Sequence, residues 1–111
     1  FAGEHHIDGF IACGPTQDRS LLTRSAQAEI TAIGAGGISG LPVLQKSMRM
    51  VKHLSEQAPK DMLIIGAGGV ITSSDAQAML KAGAHLVQIY SAFIYEGPYI
   101  VKQMAKACSE V

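Results

Sequence analysis

The sequence predicts an α/β fold in which parallel strands are covered by helices on at least one face. Three observations carry that prediction. Short runs that are apolar throughout occur at residues 7–12 (IDGFIA), 62–66 (MLIIG) and 85–90 (HLVQIY). Continuous apolar character, instead of strict alternation, marks strands buried on both sides. Segments with apolar residues spaced by three and four separate the later runs, so strand and helix alternate along the chain. Glycine clusters at residues 34–40 and 66–69 mark the strand-to-helix junctions.

The first strand is entered through Asp8-Gly9 and left through Gly14-Pro15. Residues 16–33 are mixed and polar, which predicts a long loop with a helical turn at residues 26–30. Loops of that length inside a compact domain are uncommon and often functional. Pro42 then suits a first helical turn. Leu44, Ser47, Met48, Val51, Leu54 and Ala58 form one face of a helix, and Lys46, Arg49, Lys52, His53 and Glu56 form the other. This helix ends before Pro59, with Met48 and Met50 as core fillers. After the second strand, Ser74 with Gln77 makes a capping-box pattern opening a short helix through Met79 and Leu80. Gly83 is placed to end it. The span 62–90 has the length of one βαβ unit. Residues 91–97 turn the corner, and Pro98 starts a last helix with Ile100, Val101, Met104, Ala105 and Cys108 along one side.

Composition narrows the function. The 111 residues, 48% hydrophobic and 16% charged, suffice for one compact core, hence one domain or part of one. Nine Lys+Arg balance nine Asp+Glu, and without a basic stripe nucleic acid and anionic membrane surfaces are excluded as partners. The charge-free stretch 30–45 is broken by glycines and Pro42, so there is no membrane span of about 18 apolar residues. Charge below the roughly 25% usual for soluble domains predicts a surface partly covered by other protein. Cys13 and Cys108 form no CxxC pair and read as reduced thiols in a cytosol-like compartment. His5 and His6 are adjacent, while His53 and His85 stand alone, and no metal site is expected. The first strand-like run begins within ten residues of Phe1, and the chain reads as cut from something longer.

The glycine clusters point to an anion. Glycine lets the backbone approach a ligand closely and adopt positive φ, and the helix that follows offers unpaired N–H groups and the positive end of its dipole. Gly66-Ala67-Gly68-Gly69 matches GxGG and not GxGxxG, and no acidic residue ends the next strand, which argues against a dinucleotide-binding fold. The opposing reading is that such clusters only make tight turns. Two clusters together with the hydroxyl-bearing Tyr90-Ser91 at the next strand end favour a phosphate. In (β/α)8 barrels the loops after the last two strands hold a phosphate at the top face, the geometry these three segments would assemble. Ser39, Ser73 and Ser91 have no Asp/His partner arrangement and are assigned to capping or phosphate contact.

From residue 65 the chain reads IGAGGVITSSDAQAMLKAGAHLVQIYSAFIYEGPYIVKQM, preceded by GGISGLP. This resembles the carboxyl-terminal part of dihydroorotate dehydrogenases, above all the membrane-associated, quinone-reducing class. The likeness is dense over residues 36–107 and legible over IDGFIACGPT. It implies the last three βα units of a partial (β/α)8 TIM barrel that binds FMN, oxidises dihydroorotate to orotate in pyrimidine biosynthesis and passes the electrons to a quinone. By position, Gly40, Gly68 and Gly69 would offer amides to the FMN phosphate, and Tyr90 and Ser91 would close that pocket. Cys13 would stand where the family has a flavin-contacting threonine.

The departures matter as much. The family's Thr-Asn-Thr-Thr is here Cys13-Gly14-Pro15-Thr16. Gly14 cannot supply the asparagine amide that would pair with the pyrimidine, and Pro15 lacks a backbone donor. Each unsatisfied polar group costs a ligand roughly 1 to 3 kcal/mol. The loop after Gln17 also looks longer than usual, and Gly34-Ala35 replace a polar pair. The proton-accepting residue, the lysine near the flavin and the other asparagines lie upstream in the family, so no catalytic residue is assigned to this chain. Three strands against the eight of a closed barrel predict open sheet edges, to be covered by a missing barrel half or by self-association. The location implied is cytoplasmic, or membrane-associated through segments absent here. The alternatives are another phosphate- or FMN-binding barrel enzyme with a different substrate, a non-catalytic remnant that binds phosphate compounds, and a structural partner completing another barrel.

Overall fold

The computed structural model describes residues 5–22 and 27–111. Three parallel strands, β1 (Gly9–Ala12), β2 (Leu63–Ala67) and β3 (Leu86–Gln88), form one sheet in the order β1-β2-β3. Gly9 pairs with Leu63 and Ala12 with Gly66, while Ile65 pairs with Leu86 and Ala67 with Gln88. β1 and β3 are shorter than the apolar runs that predict them, and β2 is shifted by one residue. The ladder nevertheless continues past the first ends: Leu63 N–H donates to Asp8 O at 3.1 Å, and His85 N–H donates to Ile64 O at 2.8 Å, while the His85 side chain accepts from Ile64 N–H through Nδ1 at 3.0 Å. At the other end Cys13 N–H donates to Ala67 O at 2.8 Å.

The five helices are α1 (Gln27–Ile33), α2 (Leu44–Gln57), α3 (Ser73–Lys81), α4 (Ser91–Glu96) and α5 (Tyr99–Cys108). Residues 16–33 are therefore not a plain loop. They contain a 3-10 turn at Arg19–Leu21 and helix α1, and of the turn expected at residues 26–30, Ala26 lies outside the described residues. Pro42 sits in a 3-10 turn (Leu41–Val43) that leads straight into α2. Residues 91–97 are mostly helix α4 and not a simple corner.

The cap of α3 is two residues earlier than the sequence suggested. Thr72 accepts from Asp75 N–H at 3.1 Å, and the Asp75 carboxylate accepts from Thr72 N–H at 3.0 Å. Ser74 and Gln77 make no such box. Asp75 serves as well as Glu because its carboxylate reaches back three residues. The far end follows expectation: Gly83, at φ 124°, lets Ala84 N–H reach Met79 O at 3.2 Å and its own N–H reach Leu80 O at 3.1 Å.

Phe10, Ala12, Ile64, Gly66 and Val87 share one sheet face; α2 and α3 cover it, and α5 packs on α3 to extend the same core. Val51 and Met79 are completely buried there, each burial contributing about 1.5 to 3 kcal/mol. Met79 lies directly over Gly66, where a Cβ would come within 2.3 Å of its Cγ. On α2 the buried stripe is as read, except that Met50 is exposed. On α5 only Ile100 and Met104 are fully buried and Cys108 packs beside them, while Val101 and Ala105 face outward. The 3.6-residue repeat carries 100, 104, 107 and 108 to one face and turns 101 and 105 away from it.

The opposite sheet face is bare. Ile11, Leu63 and Leu86 on it are 63%, 42% and 55% exposed. The molecule is a slab of 46 × 35 × 18 Å, one sheet and one helical layer thick. Its 7499 Å2 of accessible surface exceeds the roughly 5,900 Å2 of a compact monomer of this mass.

Replacing Thr72 by Ala removes the observed cap and should lower unfolding stability by about 1 kcal/mol in a protein containing this segment. Ser74→Ala should stay within about 0.5 kcal/mol. Denaturant titration of the two variants reads the difference.

Candidate functional site

The carboxyl ends of all three strands open on one cleft of about 310 Å3. Its walls include every site residue read from the sequence: Cys13, Gly14 and Pro15 after β1, Gly40 before α2, Gly68 and Gly69 after β2, and Tyr90 and Ser91 after β3. Ser39 joins them, and Val43, Val70, Ile71 and Ile89 add apolar wall. Ser73, by contrast, begins α3 outside the lining.

The polar groups are suited to an anion. No carboxylate stands among the lining residues. Ser39 Oγ and Ser91 Oγ lie 3.1 Å apart across the cleft, joining the loop before α2 to the start of α4. Gly40, Gly68 and Gly69 have φ of 80°, 103° and 80°, and among the described residues their N–H groups meet no acceptor. The 3-10 turn after Gly40 and helix α4 after Tyr90 both begin without a side-chain cap, leaving donors at two helix starts. Neutral donors converging from three strand ends match a phosphate, whose charge they can bind without a counter-ion in contact.

The glycines after β2 also serve packing. A Cβ on Gly69 would lie 2.4 Å from the backbone N of Leu44 and 2.5 Å from its Cα, and one on Gly68 would lie 2.4 Å from the Oγ of Ser47. The missing side chains therefore let β2 seat against the start of α2. At Gly40 a Cβ would meet only Ser91 at ordinary contact distance, 3.6 Å, so glycine there answers to the positive φ. Around Gly14 a Cβ would meet nothing within 4 Å.

Two residues escaped the sequence reading. Ser47 is the one buried polar side chain among the described residues, and it hydrogen-bonds the Cys13 thiol. Its signal was a hydroxyl on the otherwise apolar stripe of α2. Gln88, the polar residue inside the last apolar run, faces the cleft floor. Burial pushes the Cys13 thiol up, and the Ser47 hydrogen bond and the nearby Lys46 ammonium bring it only partly back. Cys13 is accordingly a neutral thiol near pH 7. The described residues contain no cluster of three His, Cys, Asp or Glu side chains able to hold a metal.

Comparison with known proteins decides the family. A family profile described as Dihydroorotate dehydrogenase matches residues 1–111. The chain belongs to the dihydroorotate dehydrogenase family. Relatives named dihydroorotate dehydrogenase (quinone) include those of Saccharophagus degradans, 47% identical over 92% of this chain, and Verminephrobacter eiseniae, 45% identical over 93%. The chain spans 29% and 28% of the length of those two relatives. Among solved structures, a dihydroorotate dehydrogenase from Eimeria tenella in complex with ferulenol superposes with a TM-score of 0.83 at 30% identity, covering 96% of this chain and 27% of that one. The likeness read over residues 36–107 thus extends across the chain, and the three βα units correspond to part of the dihydroorotate dehydrogenase barrel. No helix among the described residues is long and apolar enough to cross a membrane.

Gly69→Ala should cost about 1 to 3 kcal/mol of stability by forcing β2 from α2, which thermal unfolding of the full-length protein would show. Alkylation of Cys13, followed by peptide mapping, should be slow at neutral pH and accelerate only above the range of an exposed thiol. Ser47→Ala should move that acceleration to still higher pH, because the hydroxyl favours the thiolate.

Proposed function

We propose that this chain forms the phosphate-holding end of the flavin site in an enzyme that oxidises dihydroorotate to orotate, with a quinone as electron acceptor. The observation that carries the reading is the convergence of Ser39, Gly40, Gly68, Gly69, Tyr90 and Ser91 on one cleft that holds neutral donors and no carboxylate. FMN fits this set through its phosphate. Amides of Gly40, Gly68 and Gly69 would receive the phosphate oxygens, the Ser91 and Ser39 hydroxyls would complete the shell, and Tyr90 would close the pocket from the last strand. Cys13, neutral and held by Ser47, would face the flavin as a small uncharged contact. Bound there, FMN supplies the acceptor for the hydride that dihydroorotate gives up.

This chain's own part is to bind and orient. It carries no group assigned to remove the accompanying proton, and its bare sheet face with two open ladder edges supports a unit incomplete as a domain, closed by further strands of the same barrel. The name of its relatives supports the quinone.

One observation favours a second reading. Gly14 and Pro15 line the cleft, and the space beside Gly14 is open. A pyrimidine there would lack an amide partner, so an FMN-dependent barrel enzyme with a different, bulkier or less polar substrate is the alternative.

The purified full-length enzyme should be yellow, and its flavin absorbance should bleach anaerobically on adding dihydroorotate. A yellow protein that does not bleach would favour the second reading, and a colourless protein that still binds phosphate would fit a non-catalytic remnant. Gly14→Asn should tighten orotate binding by about tenfold or more, from the roughly 1 to 3 kcal/mol of a restored polar pairing. An unchanged orotate Kd would point to another substrate.

A further inference from the structure

We propose that Arg19 is a positioning residue for the phosphate side of the cleft, holding Ser39 and Gly40 in place opposite Ser91 without touching the ligand. The inference rests on the phosphate-site reading above and goes beyond it by naming what fixes one wall. Residues 34–40 need such a fixture. Gly34, Gly36 and Gly40 all have positive φ, and Ala35, Gly36 and Gly37 make no hydrogen bond among the described residues. A strand of glycine-rich chain held at one end only would leave Ser39 and Gly40 free to wander.

Three ties restrain it. The Arg19 guanidinium donates to Ile30 O at 2.7 Å and also to Gly34 O. These carbonyls belong to the last turn of α1 and the residue just after it, where helical acceptors lack partners and the dipole favours a cation. Thr16 and Ile38 then exchange two backbone hydrogen bonds of 2.9 and 2.7 Å. At the far end Ser39 Oγ meets Ser91 Oγ.

Arg19 is itself anchored to the helical layer. It opens the 3-10 turn that Asp18 caps, with Asp18 Oδ1 accepting from Ser20 N–H at 3.1 Å and Ser20 Oγ at 2.6 Å. Lys46 on α2 stands 3.9 Å from the Asp18 carboxylate and donates to Thr16 Oγ1 at 3.3 Å. The planar fork of arginine serves two carbonyls in fixed directions, which a lysine cannot do. Arg19 is not among the cleft-lining residues, so its influence on a ligand passes through residues 34–40.

The test uses the full-length enzyme stripped of flavin and titrated separately with FMN and with riboflavin, which lacks the phosphate. Wild type should prefer FMN. Arg19→Ala should weaken FMN by about tenfold while leaving riboflavin within about twofold, because only the phosphate wall is loosened. Arg19→Lys should show the same selective loss at about threefold, and it provides the readout if the alanine variant does not fold. Gln77→Ala, which removes a hydrogen bond to Ala107 O far from the cleft, should lower Tm without changing the ratio of the two affinities. Equal losses for FMN and riboflavin in the Arg19 variants, or no loss, would overturn the positioning role alone. A wild type that binds both flavins equally would overturn the phosphate reading and this inference together.

Discussion

The cleft depends on a backbone-to-backbone seat between the end of β2 and the start of α2. Gly69 lies so close to Leu44 that a single methyl group could not be inserted, and Gly68 is equally tight against Ser47. That contact brings the donors after β2 and those before α2 into one space, and it places Ser47 under Cys13. An alanine at Gly69 would push the two walls apart, and one at Gly68 would displace the Ser47 side chain. Packing and recognition therefore impose the same requirement on Gly68 and Gly69, which is why the two roles could not be told apart from the residue type alone.

The other half of the architecture is defined by what the helices do not cover. Ile11, Leu63 and Leu86 stand on the exposed sheet face although each is large and apolar. At about 25 cal/mol per Å2, covering such a face is worth several kcal/mol, comparable with the whole stability of a small domain. A sheet with both ladder edges open and one apolar face bare satisfies neither its backbone nor its side chains, and further parallel strands would satisfy both at once. The low charge content is the compositional trace of that condition.

Much of this was legible in the sequence, and the failures have physical causes. The three strands and α2, α3 and α5 were visible because burial on one or both faces leaves an apolar period. Helix α1 was read only as a turn, and α4 was not read at all. In α1 only Ile30 is buried and in α4 only Ala92, so neither has an apolar stripe to betray it, and α4 reads as a run of exposed Phe93, Ile94 and Tyr95. The α3 cap was misplaced because two overlapping patterns compete there, a hydroxyl with an amide at Ser74 and Gln77 and a hydroxyl with an acid at Thr72 and Asp75, and the chain geometry selects the second. The eight residues singled out by glycine placement together with the family resemblance all line the cleft. Ser47 was missed because a buried serine inside an apolar stripe has no pattern of its own until its partner thiol is located.

Gly14 and Pro15 are tied to the glycine-rich wall of the cleft. Pro15 packs on Gly37 so closely that a Cβ on Gly37 would come within 2.7 Å of the proline Cβ. The neighbouring Thr16 holds Ile38 through two backbone hydrogen bonds. A proline in place of a residue with a free N–H thus gives up a donor and gains a rigid surface against which the glycine-rich segment can rest. Because these segments form one hydrogen-bonded unit, a change in the Cys13-Gly14-Pro15-Thr16 loop does not stay local. It also moves the chain that carries Ser39 and Gly40, so the two sides of the cleft are coupled through Thr16 and Ile38.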